Sequence, residues 1–435
     1  MTYQVDEVLR KSKRVYVQSF GCPTNFADGE VIAGCLLESG FNVVSRVEDA
    51  DILVYNTCAV KTPTENKMMK ILKKAPKNKK VVVTGCLPLI NFDRLKREVG
   101  FDGVMGPSPG AKIVEAICKI ERGEKVIDLC RGMKPSYSFP RIRRNRVIAI
   151  LPISYGCLGL CSYCCVRFAR GKLRSFTVDE IKRRIREDLK AGAREVWLTS
   201  QDAGCYGRDI GASLTSLLKE VVEVEGKFYV RVGMMNPDHA VKMLDDLIDV
   251  YKNERVYKFL HVPVQSGDDG VLKRMNRYYS VEDFREVVSS FRCEIPDITI
   301  STDMICGFPG ESEEAFRNSM DLVREVKPDI LNISRFFPRP GTPALGMQQL
   351  PGWKIKERSR MMSRLFREIR IEKNRSWLHW RGEILIDEKG KNGSWIGRNF
   401  AYKPIVIKGE IGLLGEFLTI QVKNVHPTYL YAETF

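Results

Sequence analysis

The sequence predicts an α/β protein in three pieces: a doubly wound parallel sheet, an open (βα)6 barrel, and a small closed β-barrel of the oligonucleotide-binding kind. Three observations predict it. From about 14 to 122, short β-rich runs alternate with helical segments, the pattern of a parallel sheet covered on both faces. From 147 to about 372 the alternation repeats with a regular rhythm that supplies six strand candidates. After Asn374 the texture changes to five short β runs with frequent glycines. The expected divisions are 1–138, 139–373 and 374–435, joined by a Pro, Gly and Ser linker at 131–140 and a basic run at 141–146.

In the first piece the strands are expected at 14–20, 52–55 and 81–84, and each run leads into a cysteine: Cys22, Cys58 and Cys86. Open parallel sheets bind ligands outside the carboxyl ends of their strands, so three thiols there converge although they are far apart in sequence. A lone buried cysteine is ordinarily a small apolar core residue. Three at equivalent positions form a ligand set, and Gly21 and Gly85 suit turns that bring the backbone close to an inorganic group. The stretch 61–80 carries eight lysines against one glutamate, a solvated helix face or a phosphate-contacting one.

The barrel strands are expected at 147–153, 195–199, 229–234, 259–264, 298–305 and 330–336, each ending in polar or glycine-rich residues. The first delivers Cys157, Cys161 and Cys164, spaced C-x3-C-x2-C, to the barrel mouth. Three thiolates at that spacing hold three irons of a four-iron cluster and leave the fourth open, whereas a structural zinc site wants a fourth nearby cysteine or histidine. Cys165 is adjacent but poorly placed to turn onto the same metal. Arg170 and Arg174 follow closely and can clamp a carboxylate or phosphate, with ordinary surface arginines as the competing reading. His261 and Asp303 lie on strands, where a hydrogen-bonded core histidine is the commoner role. Helices are expected from 179 to 190 behind a Thr177 cap, from 313 to 326 behind Ser312, and from 354 to 375, the last burying Met362, Phe366 and Ile369 and exposing Arg360, Arg364 and Arg367.

The formal charge of +16 favours a polyanionic partner, nucleic acid first. In the terminal piece Trp395 beside Arg398, and Phe400 with Tyr402 and Lys403, suit stacking of unpaired bases. Thirteen cysteines in 435 residues are too sparse for a disulfide scaffold, and no apolar stretch is long enough for a membrane span. The expectation is a soluble, cytoplasmic protein without a membrane partner.

The C-x3-C-x2-C loop with Tyr163 before its last cysteine resembles the signature of radical S-adenosylmethionine enzymes. With Cys22, Cys58, Cys86 and the terminal barrel, the chain resembles the methylthiotransferase family along nearly its whole length, the last piece being that family's TRAM domain. Within it, 156–171, 196–200, 206–211, 261–266 and 305–311 are most similar to the archaeal and eukaryotic branch, although Cys165 and Val166 stand where relatives often have polar residues. The resemblance implies methylthiolation of C2 of N6-threonylcarbamoyladenosine beside the tRNA anticodon, with two 4Fe-4S clusters and two S-adenosylmethionine molecules. It implies cluster ligands Cys22, Cys58, Cys86, Cys157, Cys161 and Cys164. With S-adenosylmethionine at the barrel cluster, the position of the polar strand ends predicts contacts to its charged end from Ser200, Gln201 and Asp202 and to its ribose from Gln265 and Ser266, with Tyr163 in the cysteine loop beside them. The partners it implies are the tRNA anticodon stem-loop, an electron donor and a sulfur donor. Rival readings are a methylthiotransferase acting on a ribosomal-protein aspartate and a non-catalytic iron–sulfur RNA-binding sensor. Removal of residues after about 374 is expected to weaken tRNA binding yet spare S-adenosylmethionine cleavage.

Overall fold

The computed structural model describes residues 13–131, 134–409 and 412–434. Linker residues Gly132 and Met133 and the start of the chain, 1–12, lie outside the described residues.

Strands β1 (Arg14–Ser19), β2 (Asn42–Val44), β3 (Ile52–Thr57), β4 (Lys80–Gly85), β5 (Gly103–Met105) and β6 (Val126–Asp128) form one parallel sheet in the order β2-β1-β3-β4-β5-β6. Every residue of β3 is buried, as a strand covered on both faces requires. The chain leaves β1 for β2 on one side and then crosses to β3 on the other. That reversal opens a crevice between the carboxyl ends of β1 and β3, the place where such sheets bind ligands.

The barrel begins with β7 (Ile148–Pro152), followed by a short antiparallel pair, β8 (Ser154–Tyr155) with β9 (Arg174–Ser175), that frames the cysteine loop. Then come β10 (Glu195–Thr199), β11 (Tyr229–Val232), β12 (Phe259–His261), β13 (Thr299–Cys306) and β14 (Ile330–Arg335). Two parallel three-stranded sheets, β11-β10-β7 and β12-β13-β14, are joined by a parallel bridge between Val230 and Val256 and by the bond from Met235 N–H to the His261 carbonyl. The six strands make a barrel open between β7 and β14. Helix Val178–Lys190 starts with a reciprocal Thr177–Glu180 capping box, and Ser312 caps Glu313–Val326. Helix Gly352–Arg375 buries Met362, Phe366 and Ile369 and leaves Arg360, Arg364 and Arg367 exposed.

Strands β15 (Arg381–Lys389), β16 (Ser394–Arg398), β17 (Pro404–Lys408), β18 (Phe417–Val425) and β19 (Leu430–Thr434) close into a barrel in the order β15-β16-β17-β19-β18. Its aromatics depart from the expectation of a base-stacking surface. Trp395 is packed in its core, and Tyr402 is buried against Tyr257 and Phe259 of the large barrel. Lys403 is buried too, its Nζ 2.7 Å from Asp329. Phe400 lies against Trp377 and Trp380. The connection 399–403 is docked under the amino ends of the large-barrel strands: Thr299 Oγ1 donates to the Ala401 carbonyl at 2.7 Å, and the Lys258 amide donates to the Phe400 carbonyl at 2.7 Å. The large exposed aromatics are instead Tyr278 and Trp353, 65% and 69% accessible, in the segments after β12 and β14 at the opposite end.

Candidate active site at the seam between sheet and barrel

Cys22, after β1, starts helix Pro23–Glu38; Cys58 follows β3; Cys86 follows β4. Two of the three therefore flank the crevice where the strand order reverses. Gly21 has φ +104°, and a Cβ there would lie 2.4 Å from Cys58 Cβ and 2.7 Å from its sulfur. Only glycine permits that approach. At Gly85, φ +96°, a Cβ would meet the Thr57 carbonyl oxygen at 2.2 Å. Burial pushes the Cys58 thiol up to about 12, with the charges of Cys86 and Cys22 adding to the shift. Burial likewise pushes Cys86 up to about 11, and Arg170 is the main charge opposing it. Sequestered thiols that oppose one another's ionisation suit metal ions, which deprotonate and hold such sulfurs together.

The second set sits on the loop after β8. Gly156 (φ +80°) turns so tightly that a Cβ would fall 1.9 Å from the Lys172 carbonyl oxygen, and its N–H donates to Gln201 Oε1 at 2.7 Å. The loop is then pinned to the segment after β12: Asn276 Nδ2 donates to the Leu160 carbonyl at 2.8 Å, Ser162 N–H to the Met275 carbonyl at 2.9 Å, and Ser162 Oγ to the Arg274 carbonyl at 2.8 Å. Donors point at the sulfurs themselves. Gly159 N–H reaches Cys157 Sγ at 3.2 Å and Arg277 Nη1 reaches Cys161 Sγ at 3.2 Å. Cys157 is held below the ordinary thiol range by a hydrogen bond from Cys205, whereas burial pushes Cys164 well up. N–H groups aimed at sulfur favour thiolates, the form that binds iron, so these residues fit a cluster.

Cys165 faces away from this loop, its Sγ 3.7 Å from the Ala59 carbonyl beside Cys58. The chain thus passes from one cysteine set to the wall of the other within a single residue. Two arginines fasten the seam. Arg170, 1% exposed, donates to Asp28 at 2.6 Å, Asn25 at 2.7 Å and Ser108 at 3.0 Å, and Tyr155 Oη donates to the same Asp28 at 2.9 Å. Arg339 donates to the Ala59 carbonyl at 2.6 Å and to Thr62 Oγ1 at 3.1 Å, and it pairs with buried Glu65. The carboxylate that Arg170 clamps is therefore the protein's own. Arg174 is half-buried and donates to the Arg170 carbonyl at 3.1 Å.

The polar strand ends occupy different positions. Gln201 spans the seam, bound to Gly156 and, at 3.4 Å, to Thr24 Oγ1, so it orients the cysteine loop. Ser200 Oγ is buried and without a protein partner among the described residues. Gln265 has φ +69°, a left-handed conformation that a non-glycine residue adopts at a cost, and such strain concentrates at ligand sites. Ser266 Oγ accepts the Asp268 amide at 3.3 Å, a local turn contact. Tyr163 lies edge-on to Phe308 at 6.3 Å.

Sequence reasoning passed over His239 and Arg277 and left Cys205 among the cysteines without an assigned role. Ligand-type atoms of buried Asp202, Cys205 and His239 lie within 4.8 Å of one another. Asp202 is already hydrogen-bonded to Asn236 through the Asn236 amide (3.2 Å) and side chain (3.0 Å), and Cys205 Sγ lies 3.1 Å from the Asp202 carbonyl. This group braces the wall behind Cys157. The polar strand ends at Ser200-Gln201-Asp202 and Asn236-Pro237 were the local signals for it.

An open six-stranded barrel that presents three clustered thiols at its mouth defines a radical S-adenosylmethionine protein. A family model described as the radical SAM superfamily matches residues 151–323, one described as the uncharacterised protein family UPF0004 matches 14–106, and a TRAM domain model matches 382–435. A solved radical S-adenosylmethionine methyltransferase from Kitasatospora setae shares the fold, with TM-score 0.56, 16% identity, and coverage of 78% of this chain and 79% of that one. A Pyrococcus horikoshii protein named "Probable threonylcarbamoyladenosine tRNA methylthiotransferase" is 45% identical over 97% of this chain and 99% of its own length. An Archaeoglobus fulgidus protein of the same name is 44% identical over 97% and 98%. The human threonylcarbamoyladenosine tRNA methylthiotransferase is 36% identical over 96% of this chain and 73% of its own length. The chain belongs to the threonylcarbamoyladenosine tRNA methylthiotransferase family, and it is an enzyme that uses S-adenosylmethionine with a 4Fe-4S cluster. No helix among the described residues is long and apolar enough to cross a membrane.

Proposed function

We propose that this enzyme methylthiolates C2 of N6-threonylcarbamoyladenosine next to the anticodon of tRNA. The observation that carries the reading is the seam, where two three-cysteine sets from separate parts of the chain are brought together by buried arginines. Cys157, Cys161 and Cys164 would hold one 4Fe-4S cluster, and Cys22, Cys58 and Cys86 would hold a second, which would supply the sulfur-carrying chemistry. When bound, S-adenosylmethionine supplies radical chemistry, which an aromatic C–H needs because no side-chain base can deprotonate it. The chain's own residues bind and orient. Gln201 fixes the cysteine loop, Arg277 neutralises Cys161, and Ser200 and Gln265 offer polar atoms to S-adenosylmethionine with Tyr163 and Ser266 beside them. The working unit comprises 1–138, 139–373 and 374–435, acts in the cytoplasm, and draws on separate electron and sulfur donors.

Anaerobically reconstituted protein, given S-adenosylmethionine, dithionite and an anticodon stem-loop bearing threonylcarbamoyladenosine, is expected to yield a nucleoside in which a methylthio group has replaced hydrogen, read by mass spectrometry. Product from a ribosomal-protein peptide and none from the RNA would reject the reading. Binding of the stem-loop should weaken steeply with salt. Changing Arg360, Arg364 and Arg367 to glutamine should flatten the slope of log affinity against log salt by roughly 2 to 3 if all three touch phosphate. An unchanged slope would remove that helix from the RNA path.

A further inference from the structure

A polar group at the seam is not accounted for by cluster or S-adenosylmethionine binding. Lys61, three residues beyond Cys58, extends from the sheet to the barrel wall, where its Nζ donates to Ser334 Oγ at 2.7 Å. Beside it on the barrel strands, Asn332 Nδ2 donates to Asp303 Oδ1 at 2.6 Å and His261 Nε2 lies 3.3 Å from the same oxygen. Lys61 and Asn332 are exposed, and His261 and Asp303 are partly so, their side chains 18% and 27% accessible. The wall therefore faces an open space. Among the described residues, Lys61 has a neutral hydroxyl and no carboxylate as its hydrogen-bond partner. Asp303 is near enough to act on Lys61 through its charge, but the ammonium's hydrogen bond goes to a hydroxyl, so it keeps donor positions for an anion. Asp303, with Oδ1 engaged by Asn332 and His261, keeps a second oxygen that can accept from an O–H or N–H of a ligand.

We infer that Lys61, His261, Asp303, Asn332 and Ser334 form the subsite for the amino-acid substituent of the target adenosine. Lys61 takes the substituent's carboxylate, and Asp303 with Asn332 takes its hydroxyl and amide groups. The inference rests on the function proposed above and deepens it, since it states what separates the modified base from plain adenosine. Position supports it. Ala59, two residues before Lys61, already touches Cys165, so a base held between the two cysteine sets brings an N6 substituent within reach of this wall. Charge supports it as well, because a carboxylate placed here exchanges the Ser334 contact for an ion pair with Lys61.

The test uses full-length reconstituted protein and three anticodon stem-loops carrying threonylcarbamoyladenosine, its neutral methyl ester, or plain adenosine, with affinities measured at one salt concentration. Wild type is expected to favour the acid over the ester by about tenfold or more, as befits a charge-assisted contact. Lys61→Gln should collapse that ratio to near one, Lys61→Arg should keep it, and Ser334→Ala, which removes only the hydroxyl, should keep it. Equal affinity of wild type for acid and ester, or a full ratio in Lys61→Gln, would overturn the assignment. The parent reading fails differently, by absence of methylthiolated product from wild type on any of the three stem-loops.

Discussion

Replacing Cys157, Cys161 and Cys164 together by alanine is expected to lower the iron content from about eight to about four per chain, because two independent open sets would be reduced to one. The same variant should lose all reductive cleavage of S-adenosylmethionine, measured as 5′-deoxyadenosine. The reciprocal variant at Cys22, Cys58 and Cys86 should also lose half the iron yet retain some cleavage, while methylthio transfer stops. Iron unchanged in the first variant would remove the barrel loop from cluster binding. Full product from the second would return those three cysteines to the core.

Arg170→Met is expected to destabilise the protein by about 3–5 kcal/mol, since it strands the Asp28 carboxylate in a site sealed from water. Tyr155 and Ser108 would still donate to Asp28, which keeps the loss from being larger. Adding Asp28→Asn should recover much of the deficit, because the double variant leaves no buried charge alone. Denaturant midpoints of the two single variants and the double close the cycle. A double variant as unstable as the sum of the singles would show that the two side chains act independently.

The two cysteine sets were legible because each obeys a local rule. One has ligands within eight residues of sequence, 157–164, and the other places a cysteine after each of three strongly β-forming runs. Half of the first sheet was missed. Asn42–Val44, Gly103–Met105 and Val126–Asp128 are three residues each, too short for alternation or an apolar run to register, and they pair because the longer strands offer edges. The barrel strands and all five terminal strands were anticipated, with ends moved by a few residues. Of the seam's ion pairs only Arg170 stood out in the sequence, and its partner did not. Arg170 meets Asp28 across 142 positions and Arg339 meets Glu65 across 274, and partners so distant create no periodic pattern. Trp395, Tyr402 and Lys403 were misread for a related reason. An aromatic beside a base looks the same in sequence whether it stacks on RNA or docks against a neighbouring protein wall.

The docked connection 399–403 makes the large barrel a vessel with a stopper. Tyr402 rests on Tyr257 and Phe259, Lys403 satisfies Asp329, and Asn145 Nδ2, just ahead of β7, donates to the Asp387 carbonyl at 2.7 Å. Among the described residues the amino end of the barrel is covered, and the opposite rim carries the exposed rings of Tyr278 and Trp353. The terminal barrel is consequently no exchangeable cassette. A chain ending near 374 would lose its floor, uncover aromatic rings and take Lys403 from buried Asp329, leaving that carboxylate to Lys373 and the Ile300 amide. It is therefore expected to unfold at lower temperature and to lose S-adenosylmethionine cleavage along with RNA binding, where the sequence alone suggested that cleavage would be spared. An engineer seeking to redirect this enzyme to another RNA would do better to reshape the rim and leave the base intact.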